Sequence, residues 1–248
     1  DGKLYRPRND VTSVLLFGVS HGDAGEDAPV YGKERHISFI QLMIVDHAAQ
    51  AVYRVPVDGE IMADIRVPGE NGKTVLQQGP LYYAFGAGDG KEESCLYLTE
   101  AVSKVLPVGK IDFYVSVEAD NLQELLQIAA KIANAALPEK LEQQKTTSNM
   151  AARRARAQMQ SQQMAQLLSL ITQISSADEE QINRLFDAMK PYIMTDMPRG
   201  RMINEVWKMK PYRQLEALYM PLDEGDKVTV KQEEAQKLLM ELFYKVAE

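Results

Sequence analysis

Two apolar runs separated by a five-residue connection, Phe39 to Val45 (FIQLMIV) and Ala51 to Val57 (AVYRVPV), constrain this chain more than any other feature. Short runs rich in β-branched and aromatic side chains, bounded by Asp and Gly, read as buried strands rather than helices. The connection Asp46-His47-Ala48-Ala49-Gln50 is too short for a parallel crossover, so the two strands are expected to pair antiparallel. A third run, Val11 to Val19 (VTSVLLFGV), precedes them, and the three together read as the middle of a sheet. Polar candidates sit at the strand ends: Ser20 and His21 after Val11 to Val19, Arg35 and His36 before Phe39 to Val45, and Asp58 after Ala51 to Val57. The two histidines read as loop residues, since neither has a carboxylate partner nearby in sequence.

Along the chain, Asp1 to Asn9 is polar and reads as an N-terminal arm, with residues 10–248 as a single domain. His21 to Lys33, loaded with Gly, Asp and Pro, reads as an exposed loop beside a strand end, a common place for ligands. Pro68-Gly69 and Asn71-Gly72 mark a hairpin or wandering loop within Ile61 to Pro80. Glu92 to Leu106 places Cys95, Leu98, Val102 and Val105 at helical spacing. Ile111 to Val117 alternates like a strand, and Asn121 to Leu137 reads as a helix with Asn121 as its cap and Pro138 beyond its end.

A Gln-, Ala- and Arg-rich stretch becomes helical from about Ala151, and its apolar face is carried by Met164, Leu167, Leu168 and Ile171. Further helices are expected from Ala177 to Lys190, with acids in the first turn and Pro191 beyond, and from Arg201 to Met209. Gln214 to Met220 and Lys227 to Val230 read as strands around an Asp223-Glu224-Gly225-Asp226 turn, and Lys231 to Ala247 as the closing helix. Strands interleaved with helices throughout imply an α/β fold, a central mixed β-sheet flanked by helices in an αβα sandwich.

Charge and cysteine content narrow the function. A formal net charge of −7 over 248 residues argues against nucleic-acid binding, which rests on neutralising phosphates with Lys and Arg. The lone Cys95 cannot form an internal disulfide, and with three His it cannot supply a standard structural zinc site.

The order of these pieces resembles the LytR-CpsA-Psr family, also called the cell-envelope-related transcriptional attenuator domain. In that family a strand ending "LL-x-G-x-D-x-R" is followed by "R-S-D-T-I-M-L-V-S-I-D", "I-P-R-D-T", "I-N-x-A-Y-A-Y-G-G" opening a helix, and "I-D-Y-Y-V-x-V-D". The matching stretches here are Leu15 to Val19, Phe39 to Asp46, Val55 to Asp58, Leu81 to Gly86 and Ile111 to Glu118. Phe186 to Met197, with its Thr195-Asp196-Met197, is similar to the family helix that closes in "T-D-L".

The resemblance implies a membrane-anchored extracellular enzyme that moves a phosphate-linked glycopolymer from a polyprenyl carrier onto peptidoglycan. Arginines would grip the pyrophosphate and carboxylates would hold magnesium, as suits a reaction that is mostly positioning and charge neutralisation. On that alignment the family Asp after the first strand falls on Ser20, "R-S-D-T" falls on His36-Ile37-Ser38-Phe39, and the Arg of "P-R-D-T" falls on Val57, with Asp58 kept.

The resemblance therefore implies a site that has lost most of its charge, and three functions stay open. The first is a cell-envelope protein binding a polyprenyl (pyro)phosphate lipid with little or no catalysis. The second is an active phosphotransferase, in which case magnesium is its cofactor. The third is a protein-interaction scaffold that has kept the fold.

The family's last arginine motif matches Arg154-Ala155-Arg156 in one register, and Arg153 with Arg156 in another. The phosphate-binding candidates are accordingly Arg35, Arg153, Arg154 and Arg156, with a solvated helix face as the alternative for the last three. Asp58 is the metal candidate, with a strand-ending turn residue as its alternative. Arg35 reaches the site only if a bulge turns it inward, and Arg54, three residues before Val57, is expected on the opposite face. Tyr82, Phe85, Met159, Met164 and Leu168 are candidates for an apolar tunnel that holds the lipid tail, or for core. The implied location is the outer face of a bacterial membrane, through an N-terminal anchor preceding this sequence.

Overall fold

The computed structural model describes residues 4–21, 35–70, 73–107, 110–141, 149–174 and 179–246. Its centre is a six-stranded mixed sheet built from β2 (Val11–His21), β3 (Arg35–Asp46), β4 (Ala51–Val57), β7 (Phe113–Glu118), β8 (Ile193–Thr195) and β9 (Arg213–Ala217), in the order β8-β7-β2-β3-β4-β9. The pairs β2/β7 and β4/β9 are parallel and the others antiparallel. The expected central trio is thus β2, β3 and β4.

β2 and β3 are buried along almost their whole length, which is why they read as continuous apolar runs rather than alternating ones. Leu15, Phe17 and Val19 face one core, shared with α1 (Glu92–Val105), α6 (Gln232–Phe243) and the hairpin of β5 (Met62–Pro68) and β6 (Thr74–Pro80). Leu16 and Phe39 face the other, shared with α2 (Leu122–Ala133), α3 (Asn149–Gln173) and α4 (Glu179–Met189). Val14, Met43, Val45 and Val52 extend that second face to Met209 of α5 (Arg199–Met209).

The five-residue connection works through Asp46, whose Oδ1 accepts the N–H groups of Ala48 and Ala49 at 3.1 and 2.9 Å. Gln50 completes the turn at φ 49°, a left-handed conformation. At the far end of β3 the pairing slips, since Gly18 opposes Phe39 while Val19 opposes Ile37. Ser38 is the extra residue of a β-bulge, and the chain beyond it is turned over, so Ile37 joins Ile40 in the α1-side core.

Several boundaries differ from expectation for local reasons. α2 stops at Ala133 because Asn134 takes a left-handed C-cap at φ 50°. Asn121 precedes it without a side-chain cap hydrogen bond to backbone, its amide facing Glu124 at 3.5 Å instead. The closing helix ends at Phe243, and Tyr244–Val246 forms β12, which pairs with β1 (Tyr5–Pro7). The polar lead-in segment therefore carries a strand rather than a bare arm. His36 is a buried strand residue and His21 ends β2, so neither sits in a loop. The rest of the loop expected up to Lys33 lies outside the described residues. β10 (Leu222–Glu224) and β11 (Val228–Val230) form a small hairpin over the Asp223–Asp226 turn. Among the described residues no helix is long and apolar enough to cross a membrane.

Cys95 lies fully buried in α1, and burial, reinforced by the negative charge of Asp89, pushes its thiol up to about 12. Only the thiolate reacts, so iodoacetamide at pH 8 is expected to leave the native protein unlabelled and to alkylate it fully once guanidinium unfolds it. Stoichiometric labelling of native protein within minutes would show instead that α1 opens readily.

Candidate functional site

The sheet face covered by α3 carries a cavity of about 660 Å³ between β3, β4, α3 and the segment after β9. Phe39, Pro56, Tyr82, Ala157, Met220 and Leu222 supply its apolar lining. Gln41, Arg54, Asp58, Arg154 and Gln158 supply polar groups. α3 puts Arg154 and Gln158 on this wall because they lie four residues apart, one turn along one helix face.

Arg154 Nη2 lies 2.6 Å from Asp58 Oδ2 and 3.1 Å from Glu224 Oε1. Glu224 belongs to β10, so this contact ties the small hairpin to α3. Next to it Arg153 grips Glu60 at 2.6 Å and lies 5.5 Å over the Tyr82 ring. Glu60 N–H in turn donates to Asp58 Oδ1 at 2.9 Å. Burial by itself would depress both guanidinium groups, but Glu60 for Arg153 and Asp58 for Arg154 more than offset it, and both are raised. Burial, helped by Asp58 and Glu60, also raises the Tyr82 hydroxyl, which stays a neutral phenol.

Arg35 lies elsewhere. The bulge at Ser38 does turn it, but onto the α1 side, where it lies 5.5 Å over the Phe85 ring. There its Nη1 donates to the Gly90 carbonyl at 2.5 Å and its Nη2 to Glu118 Oε1 at 2.6 Å. His21 Nδ1 is 3.3 Å from the other oxygen of Glu118, and Asp120 accepts from Ser20 Oγ at 3.0 Å. Arg35 therefore joins a separate cluster, away from Arg153 and Arg154, of which Arg154 lines the cavity. Arg156 is exposed, and among the described residues it makes no ion pair.

The tunnel candidates divide as well. Tyr82 lines the cavity, whereas Phe85 is fully buried in the α1-side core. Met164 and Leu168 belong to the packing among α2, α3 and α4, and Met159 is half-buried on α3 outside the cavity lining.

Magnesium needs several free oxygen donors arranged around one point. Ser20, His36 and Ser38 occupy the positions where the resemblance implies charged groups, and all three are buried. Asp58, the metal candidate, is instead neutralised by Arg154. Among the described residues no group of three or more His, Cys, Asp or Glu side chains is arranged to hold a metal. The described residues do not fit the ion.

Sequence reasoning missed two residues. Strand alternation does place Arg54 opposite Val57, but the cavity lies on Arg54's side of the sheet. Gln41, on the same face of β3, is 3% exposed and lies inside an otherwise apolar run. A long polar side chain inside an otherwise apolar strand was the available signal.

Comparison of the sequence with protein-family models and with curated proteins gives no match. Solved structures do match the fold. Bacillus subtilis TagU superposes with a TM-score of 0.63 at 13% identity, covering 97% of this chain and 100% of that one. A LytR-Csp2A-Psr enzyme from Actinomyces oris gives 0.60 at 12% identity over 98% and 95%. A structure of TagT bound to LIIa-WTA gives 0.57 at 14% identity over 94% and 90%. At this identity the likeness is one of architecture, and the chain has the fold of the LytR-Csp2A-Psr enzymes.

Proposed function

We propose that the chain is a divergent LytR-CpsA-Psr protein of the outer bacterial cell envelope that binds a polyprenyl phosphate or pyrophosphate lipid, or a glycopolymer carried on one, with little or no turnover. The observation that carries the reading is the cavity on the α3 face, apolar along much of its wall and bordered by Arg154 and Asp58. An apolar cleft with few polar groups is the usual form of a site for an amphipathic small molecule. The bound TagT structure, a fold relative captured with a ligand, supports the choice of ligand class. Loss of turnover follows from charge: Arg35, Arg153 and Arg154 are each spent on a carboxylate, and the carboxylates so held are not free for a cation.

Mass spectrometry of organic extracts from the purified protein tests this directly. A polyprenyl phosphate or pyrophosphate is expected at near-equal molar amount, or after incubation with such a lipid, together with no magnesium-dependent transfer. Absence of lipid even after incubation would leave a scaffold role. Transfer that disappears on replacing Arg153 and Arg154 would instead establish an active enzyme.

A further inference from the structure

Among the described residues Arg54 stands apart from the other cavity-side arginines. Arg153 and Arg154 each meet a carboxylate at 2.6 Å, whereas Arg54 makes no ion pair, and its Nε, like that of Arg154, is shut off from solvent without a hydrogen-bond partner. Its backbone is fixed by strand pairing and by Leu218 N–H, which donates to its carbonyl at 2.8 Å. Gln41 lines the same wall of the cavity with only 3% of its surface exposed. Buried polar groups are normally hydrogen-bonded, so the orphaned Arg54 Nε beside Gln41 on the cavity wall marks a place where something else completes it.

Their spacing is built in. Gln41 opposes Pro56 across the β3/β4 ladder and Arg54 lies two residues further along β4 on the same face. Such diagonal neighbours are roughly 7–8 Å apart, close enough for two long side chains to converge on one small group. A guanidinium offers a planar fork of donors and an amide offers two more, a set that suits a tetrahedral oxyanion. Glu216, the remaining carboxylate on the lining, is exposed.

We propose that Arg54 and Gln41 form an anion subsite inside the cavity that holds a phosphate group, and that the arginines of α3 serve as structural pairs. The inference rests on the lipid-binding reading for the apolar remainder of the ligand. A phosphate arriving at Arg154 must displace Asp58 or Glu224, whereas at Arg54 it displaces no carboxylate.

Calorimetric titration of the full chain with farnesyl monophosphate, farnesol and inorganic phosphate tests it. Arg54→Gln is expected to weaken farnesyl monophosphate binding by about ten- to a hundredfold, the scale of one lost charge-assisted hydrogen-bond pair, and to leave farnesol within about twofold. Gln41→Leu is expected to act in the same direction more weakly. Arg54→Lys, which keeps the charge, recovers part of the loss, and thermal melts confirm that each variant is folded.

An unchanged affinity in Arg54→Gln, or a larger loss in Arg154→Gln, overturns the subsite. Equal binding of farnesol and farnesyl monophosphate to the unaltered protein removes the subsite while leaving the lipid reading. Phosphate bound through Arg54 without help from the farnesyl chain keeps the subsite and removes the lipid. Binding of none of the three removes both.

Discussion

Arg8→Met is expected to lower the free energy of unfolding by about 3 kcal/mol, because it strands a buried carboxylate. Arg8 reaches Asp46 through two donors, Nη1 and Nη2, each at 2.8 Å, and holds Asp10 through Nε and Nη2 at 3.1 and 3.0 Å. The Asp46 side chain is only 4% exposed and Arg8 14% exposed, so water replaces little of this pairing. Asp46 at the same time closes the turn between β3 and β4. The backbone N–H of Arg8 donates to the Phe243 carbonyl at 2.9 Å, so one residue joins the β1/β12 ribbon to the centre of the sheet.

The double variant Arg8→Met with Asp46→Asn removes the orphaned charge and is expected to be less destabilised than the sum of the singles by about 1–2 kcal/mol. Urea unfolding of the four proteins gives the cycle, and a loss below about 1 kcal/mol in Arg8→Met would sink the argument, since exposed pairs are worth that little. There is an acid signature too. The Arg8 guanidinium holds the Asp10 carboxyl below its usual range, so that part of the stability is present above about pH 4 and fades as pH falls through the lowered value. The gap between the unaltered protein and Arg8→Met is therefore expected to narrow on acidification.

This network shows where sequence reading stops. The strands around it were legible, since fully buried strands leave long apolar runs and a five-residue connection admits only an antiparallel pair. The pairing of residues 8 and 46 leaves no periodic trace, and a polar first segment looks the same whether it hangs free or closes a ribbon with the last strand. The helices were legible in type but not in their ends, because Asn134 and Tyr244 stop them by local conformation rather than by Pro or Gly.

The candidate site divides along the same line. Arg153, Arg154, Asp58 and Tyr82 are readable as separate candidates for a phosphate, a metal and a lipid tail because each sits at a motif position or on a helix face, and the structure brings the four side chains together. That the arginines spend their charge on Asp58, Glu60 and Glu224 was not readable, because those partners are 70 to 96 positions away in the chain. The sequence makes the face of Arg35 conditional on a bulge. The bulge exists, but the face it selects belongs to Phe85, Gly90 and Glu118. Alternation places Arg54 on the face opposite Val57, and only the packing of α3 makes that face the hollow one.

The bulge itself depends on Gly18, and Gly18→Val is expected to cost about 3 kcal/mol, the upper part of the range for overpacking. A Cβ at this position would fall on the Phe39 ring and within 2.8 Å of Ser38 Oγ. Phe39 is 1% exposed under α3 and Ser38 is 3% exposed, so a branched side chain fits only by driving the Phe39 ring out of its packing toward the cavity it lines. Gly18 is thus required by close approach of a ring rather than by an unusual backbone angle. Its absent side chain lets Ser38 and Phe39 crowd onto one face, which in turn sends Ile37 and Arg35 to the α1 side.

Gly18→Ala should show a smaller loss of the same sign, and pairing it with Phe39→Leu should return part of the stability because the leucine vacates the ring's position. Denaturant unfolding of these variants separates two origins. Strict additivity would mean that Phe39 is not the obstacle, whereas a sub-additive double variant ties the conformation of the bulge, and with it the placement of Arg35, to a glycine that sequence alone marks only as one small residue in an apolar run.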